Sequence, residues 1–247
     1  MWIAPDAREL VEDLGCDTVE GALACALGEL RQRIPERSIR IISHAGRRLF
    51  LKRTHASRPS VFVRALAKAN FPVFSAEVEK RRIDELRELG LRVPTVLAAG
   101  DAGTTLQIRG AILLAELPGR SLAELDEGEL RQGSLRLARE LGAMIRRLQE
   151  AGLEHRDLYP CHVFHDPARG FGLIDLERVR HWPGGLPLRR RARELAALAS
   201  GSVGDSSRRC AAFLLGLLGS AEAVRRERGL LAAVERRRAS LQKRRRS

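Results

Sequence analysis

Apolar and polar positions alternate in several short stretches ahead of Pro118-Gly119 and follow helical spacing in others, on both sides of it. Met1 to Gly21 is poorly patterned, whereas Ala22 to Ile34 sets leucine and alanine on one face and predicts a helix. Arg37 to Ser43 alternates as a strand, His44-Ala45-Gly46 supplies a turn, and Arg48 to Arg53 returns as its partner. Lys52 is thereby placed on a strand beside the apolar Leu51. Val61 to Ala69 predicts a short connecting helix. Ser75 reads as the cap of the next one, with Glu77 and Glu79 in its first turn, Ile83, Leu86 and Leu89 along one face, and Gly90 at its end. Three strands are expected over Pro94 to Gly100, Thr104 to Arg109 and Ala111 to Leu117, turning at Asp101-Ala102-Gly103 and at Gly110. Pro118-Gly119 breaks the pattern. Beyond it, Leu135, Leu137, Leu141, Met144, Ile145 and Leu148 mark a long amphipathic helix that ends at Gly152. Trp182 to Gly185 reads as a loop, Leu188 to Ala199 as a helix, and Ser207 to Gln242 as one or two helices with a basic end.

The chemistry concentrates in Glu154-His155-Arg156-Asp157-Leu158-Tyr159-Pro160-Cys161-His162, followed by the strand-like Phe171-Gly172-Leu173-Ile174-Asp175. A helix, a polar loop holding an Asp, and an apolar strand ending in a second Asp form the order used by the catalytic half of a kinase-type phosphotransferase. In that order Asp157 would orient an attacking hydroxyl and take its proton, and Asp175 would hold a divalent cation against nucleotide phosphates. The ammonium of Lys52 suits the α- and β-phosphates; the plain alternative is an edge-strand lysine that blocks aggregation. A His-Arg-Asp triplet alone carries little weight, and the specificity comes from the whole order of strand lysine, helix glutamate, loop and Asp-terminated strand. These residues resemble the lipopolysaccharide core heptose kinase family, relatives of protein kinases whose loop reads His-Arg-Asp-x-Tyr-x-Cys-His, as His155 through His162 do. The likeness runs from Gly28 or so to Ser200 or so and is strongest from Leu135 to Arg178.

The resemblance implies an α+β, two-lobed protein-kinase-like fold in a single domain spanning 1–247. Residues 1–117 would form a small antiparallel-sheet N-lobe with an N-terminal extension, and 118–247 a mainly helical C-lobe with a basic tail. It selects Glu79, spaced ahead of Ile83, Leu86 and Gly90 as in the family, to hold Lys52, with Glu77 as the fallback. Lys52, Glu79 and Asp157 are then the catalytic set. ATP would lie against the backbone of the Ala115 carbonyl and the Leu117 amide, with Glu116 at the ribose or in solvent. Mg²⁺ would sit on Asp175; Mn²⁺ is the alternative, because His162 stands where protein kinases place a metal-binding Asn and imidazole suits Mn²⁺ better. A second role for His162 is to hydrogen-bond Asp157 and fix the loop. The sequence also departs from protein kinases. Leu176-Glu177-Arg178 replaces Phe-Gly after Asp175, no Ala-Pro-Glu follows, and no glycine-rich loop precedes Lys52. Arg31 to Arg37 are expected to cover the phosphates instead, with Arg37 or Arg40 touching them, against the alternative that these arginines form a solvated face. The implied reaction is phosphorylation of a sugar hydroxyl by ATP, most simply on a heptose of the lipopolysaccharide inner core; a small-molecule or Kdo kinase of the same fold is the alternative. The 176–247 stretch is short for a polypeptide-binding lobe with regulatory elements, which favours a small or glycolipid acceptor.

Composition narrows the partners. The 247 residues suit one two-lobed domain. Cys16, Cys25, Cys161 and Cys210 form no Cys-x-x-Cys pair, as expected in a reducing cytoplasm, and the spacing of Cys161, His162 and His165 suits no common zinc site. No apolar run approaches a membrane span, and the N-terminal residues lack the order of an export signal. A cytoplasmic location is expected, with peripheral association at the inner face of the inner membrane. The net charge of +13 attracts anions: an anionic glycolipid or sugar acceptor near Arg178, Arg180 and Arg189 to Arg193, and anionic lipid at the tail residues Arg236 to Arg238 and Lys243 to Arg246. Nucleic acid is the weaker reading, since aromatic residues for base stacking make up only 4% of the chain.

Overall fold

The computed structural model describes residues 1–34, 37–57, 75–103, 107–125, 134–199 and 207–246. The helix expected over Val61 to Ala69 and the start of the strand expected at Thr104 lie outside them. The chain divides into two compact units: residues 1–85, 93–117 and 176–178 form one, and residues 86–92, 118–175 and 179–247 the other.

The first unit is built on a six-stranded antiparallel sheet. Its strands are β1 (Trp2–Ile3), β2 (Glu29–Ile34), β3 (Arg37–His44), β4 (Arg47–Ser57), β5 (Thr95–Asp101) and β6 (Gln107–Ala115), in the order β1-β5-β6-β4-β3-β2. The β3–β4 hairpin turns at Ala45 and Gly46, both at positive φ, and pairs Ile39 with Lys52. Alternation along β4 sends Leu49 and Leu51, both fully buried, to one face and Lys52 to the other. The Leu49 face packs against the short helices α1 (Arg8–Asp13) and α2 (Val19–Ala24) through Val11, Leu14, Val19 and Leu23. Those helices lie in the segment whose pattern is weak, because six residues give fewer than two turns in which a period can show.

Two expectations change here. The helix expected over Ala22 to Ile34 stops at Ala24, and Glu29–Ile34 is the edge strand β2. Cys25 ends the helix at φ −52° and ψ 119°, and Gly28 then lies at φ +75°, where a Cβ would meet the Ile41 carbonyl oxygen at 2.1 Å. Arg40 fills the gap by donating to the carbonyls of Ala26 and Gly28 at 2.7 Å. The turn expected at Gly110 is also absent, since β6 runs through it and pairs Gly110 with Thr54 and Asp101.

In the second unit α4 (Ser134–Glu150) crosses α6 (Ser207–Leu218) closely, because Gly142 and Gly216 leave room for backbone. A Cβ on Gly142 would come within 2.1 Å of the Phe213 oxygen. α4 ends in Gly152 at φ +68° and runs into β8 (Leu153–Glu154), which pairs with β11 (Arg180–His181). Strands β7 (Arg120–Ser121), β9 (Val163–Asp166) and β10 (Gly170–Leu173) form a small sheet in the order β10-β9-β7. α5 (Leu188–Leu198) packs on the last helix, α8 (Arg228–Arg246). Between α6 and α8 the chain forms a separate short helix, α7 (Ala221–Arg226), capped by Ser220; the expected one or two helices are therefore three.

Candidate active site

In the first unit, Lys52 Nζ donates to Glu79 Oε1 at 2.7 Å. Both side chains are largely buried, at 13% and 5% exposed, so the ion pair is partly desolvated. Glu79 comes from α3 (Ala76–Glu88), whose start is fixed from the sheet. Asp101, at the end of β5, accepts from the Ala76 amide at 2.9 Å and from the Ser75 hydroxyl, and that hydroxyl accepts from the Val78 amide. Gly110 makes the contact possible, because a Cβ there would stand 2.2 Å from Asp101 Oδ1. Glu77 in the same first turn is exposed and leaves Lys52 to Glu79. Arg37 pairs with Glu177 at 2.5 Å, and a small cavity is lined by both of them with Lys52, Thr54, Glu79 and Ile112. Arg40 is turned to the carbonyls that follow α2, and Arg31 and Arg33 are exposed on the edge strand β2. Ala115 ends β6 opposite Leu49 and Thr95. The Glu116 amide donates to the Arg48 oxygen at 2.9 Å while its carboxylate pairs with Arg48 at 2.8 Å, and Leu117 is buried.

The second unit holds the loop and the Asp175 strand against each other. His155 is fully buried, and burial pushes its imidazole down to about 4, so it is neutral at physiological pH. Its Nε2 lies 2.9 Å from the Ile174 carbonyl, which can only accept; the proton is therefore on Nε2, and the residue preceding Asp175 is tied to the residue two before Asp157. The Ile174 amide donates in turn to the His162 oxygen at 3.0 Å. His162 Nδ1 lies 2.7 Å from the backbone carbonyl of Asp157 and must donate to it, which turns Nε2 toward Asp175 Oδ2 at 4.0 Å. Asp157, His162 and Asp175 thus share one neighbourhood. Arg156 and Asp175 both have positive φ, at 73° and 59°, a costly conformation for side chains with a Cβ.

One residue that the sequence reading overlooks completes this arrangement. Glu194, on α5 and 1% exposed, accepts the backbone N–H groups of His155 and Arg156. Burial pushes its carboxyl up to about 8, with Glu154 adding to the rise and the two backbone donors opposing it. The available signal was a lone acid at the start of the apolar run Leu195 to Leu198.

Among the described residues no group of three or more His, Cys, Asp or Glu is arranged to hold a metal. A cation here would take a carboxylate oxygen of Asp175, the imidazole of His162 and oxygens from outside the protein. The carboxylate suits Mg²⁺ or Mn²⁺ with phosphate and water ligands, and the imidazole favours Mn²⁺. All four cysteines are free thiols.

Residues 26–215 match the family described as lipopolysaccharide kinase (Kdo/WaaP). The chain is 38% identical over 102 residues to a 3-deoxy-D-manno-octulosonic acid kinase of Xylella fastidiosa (strain M12), an alignment covering 41% of this chain and 40% of that enzyme. It is 26% identical over 227 residues to the lipopolysaccharide core heptose(I) kinase WaaP of Escherichia coli, covering 84% and 85%. A solved structure of WaaP in complex with acyl carrier protein superposes with a TM-score of 0.72 at 26% identity, over 98% of both chains. The fold is α+β and protein-kinase-like.

Proposed function

Because the chain belongs to the lipopolysaccharide kinase (Kdo/WaaP) family, we propose that it transfers the γ-phosphoryl group of ATP to a sugar hydroxyl of the lipopolysaccharide inner core, most directly on a heptose. The observation that supports this best is the tie between the two aspartates. His162 hydrogen-bonds the backbone of Asp157 and faces the carboxylate of Asp175, so the base candidate and the metal candidate are held together without a protein-kinase activation segment. Asp157 accepts the proton of the sugar hydroxyl as its oxygen attacks phosphorus, and ADP leaves. Lys52, held by Glu79, carries positive charge to the nucleotide phosphates. Backbone groups of Ala115 and Leu117 receive the adenine, and Glu116 borders the ribose. Mg²⁺, or Mn²⁺, on Asp175 and His162 would supply positive charge to offset the negative charge developing on the phosphates.

The likeness to the Xylella fastidiosa enzyme favours a second reading, in which a 3-deoxy-D-manno-octulosonic acid hydroxyl is the acceptor. Phosphate incorporation from radiolabelled ATP into heptose-bearing core and into a heptose-free Kdo acceptor separates the two. Label in the heptose-bearing core alone supports the first, label in both supports the second, and label in neither removes both. No described helix is long and apolar enough to cross a membrane. A cytoplasmic enzyme that meets its glycolipid at the inner face of the inner membrane, aided by basic residues such as Lys243 near the end of α8, fits the need for ATP. The WaaP complex makes an acyl carrier protein a further candidate partner, which co-purification would reveal.

A further inference from the structure

Helices α5 and α8 of the second unit border an open groove of about 490 Å³ that the phosphoryl-transfer chemistry leaves unused. Its lining follows helical periodicity on both sides. Arg189, Ala192 and Arg193 stand at i, i+3 and i+4 on α5; Ala233, Arg236, Arg237 and Ser240 stand at i, i+3, i+4 and i+7 on α8. Ala192, which is buried, and Ala233 are too small to fill the space between the helices, so the guanidinium groups surround an open trough. Arg190 completes the set. It is held by Glu154 Oε1 at 3.5 Å and lies 5.3 Å from the centroid of the Trp182 ring.

The charges in this groove are poorly matched from within. Among the described residues no carboxylate pairs with Arg189, Arg193, Arg236 or Arg237; the ion pairs along α5 use Arg190, with Glu154, and Arg191, with Glu227. The Nε atoms of Arg190 and Arg237 are buried with no hydrogen-bond partner among the described residues. The four guanidinium groups that line one trough without a carboxylate partner among the described residues repel each other. Planar forks of this kind take carboxylate and phosphate oxygens two at a time, which offsets the repulsion. α5 also gives Glu194 to the backbone of the loop bearing Asp157, and Arg190 to Glu154 just ahead of that loop. The groove is therefore built on the helix that positions the residue assigned to the acceptor hydroxyl.

We propose that the α5–α8 groove binds the carboxylate and phosphate groups of an anionic saccharide acceptor, anchoring the sugar chain away from the hydroxyl that reacts. This rests on the reading of the chain as an inner-core kinase and names the part of the substrate that the arginines hold. A saccharide fits better than a membrane surface, because the lining includes no large apolar side chain to enter lipid.

The test uses the full chain and a lipid-free, deacylated inner-core oligosaccharide bearing carboxylates and phosphate, with a variant combining Arg193→Gln, Arg236→Gln and Arg237→Gln. Calorimetric titration should show binding to the wild type that weakens with added salt, and at least a tenfold loss in the variant. The triple lysine variant should recover part of the affinity, and KM for ATP should stay the same. Melting of the unliganded glutamine variant at or above the wild-type temperature would show relief of repulsion rather than misfolding. Equal oligosaccharide affinity in wild type and glutamine variant, no binding by the wild type, or a loss confined to phosphatidylglycerol vesicles would each overturn the proposal. If the oligosaccharide binds through these arginines but no phosphate is transferred, the kinase reading falls and the groove stands. Transfer with an unchanged acceptor KM in the variant removes the groove and leaves the kinase reading in place.

Discussion

Glu194 carries two loads in one buried carboxyl: it accepts the amides of His155 and Arg156, and it sits beside Glu154 with little solvent. Its pKa is raised in the folded state, so the folded chain binds the proton more tightly than the unfolded one. Stability from this group is complete below about 4.5 and is lost as pH rises toward about 8. The slope is at most about 1.4 kcal/mol per pH unit for one proton. Denaturant titrations between pH 5 and 8 should show that fall in the wild type. Glu194→Gln, which keeps an acceptor oxygen, should flatten it, whereas Glu194→Ala should lower kcat at least tenfold by releasing the loop. His162 poses a question of metal choice. Replacing its nitrogen by the oxygen of Asn should lower the ratio of Mn²⁺- to Mg²⁺-supported turnover by roughly tenfold; an unchanged ratio would assign His162 to loop support through Asp157 alone. Asp157, Asp175 and Lys52 stand out in the sequence as candidates because chain order marks them. Glu194 was not, since its partners are backbone amides about forty residues away in sequence and amides have no residue identity to read.

At the scale of elements, the ion pair of Lys52 depends on how α3 begins. Gly110 lets Asp101 approach, Asp101 binds Ser75 and the Ala76 amide, and that fixed start sets Glu79 facing Lys52. Gly110→Ala should therefore act at a distance. Its Cβ would stand 2.2 Å from Asp101 Oδ1, so a loss on the order of 1–3 kcal/mol is expected in thermal melts, together with a higher KM for ATP. A melt unchanged from wild type would show that Asp101 moves aside freely. The sequence showed the glycine and suggested a turn, since a glycine needed for close approach and one needed for a bend look alike without the partner strand. The β3–β4 hairpin and the long helix α4 were legible because each repeats its period several times. α1, α2 and β2 were not, being short and dependent on tertiary contacts such as Arg40 with the carbonyls of Ala26 and Gly28.

For the molecule as a whole, the family likeness and the chemistry of the loop agree on phosphoryl transfer, and the excess of positive charge agrees with an anionic acceptor. The +13 charge pointed to anionic partners at Arg189 to Arg193 and at Arg236 to Arg238 as separate places, because only the packing of α5 on α8 brings the two runs to one groove. The division of labour between the two aspartates remains the point on which phosphoryl transfer stands or falls. Melting temperature with and without Mg²⁺ and ATP, measured beside ATP turnover on the inner-core acceptor for wild type, Asp157→Ala and Asp175→Ala, tests it directly. Asp157→Ala should keep the metal-dependent nucleotide shift and lose turnover by a hundredfold or more, and Asp175→Ala should lose both. Wild-type turnover in Asp157→Ala, or an undiminished metal-dependent shift in Asp175→Ala, would contradict it.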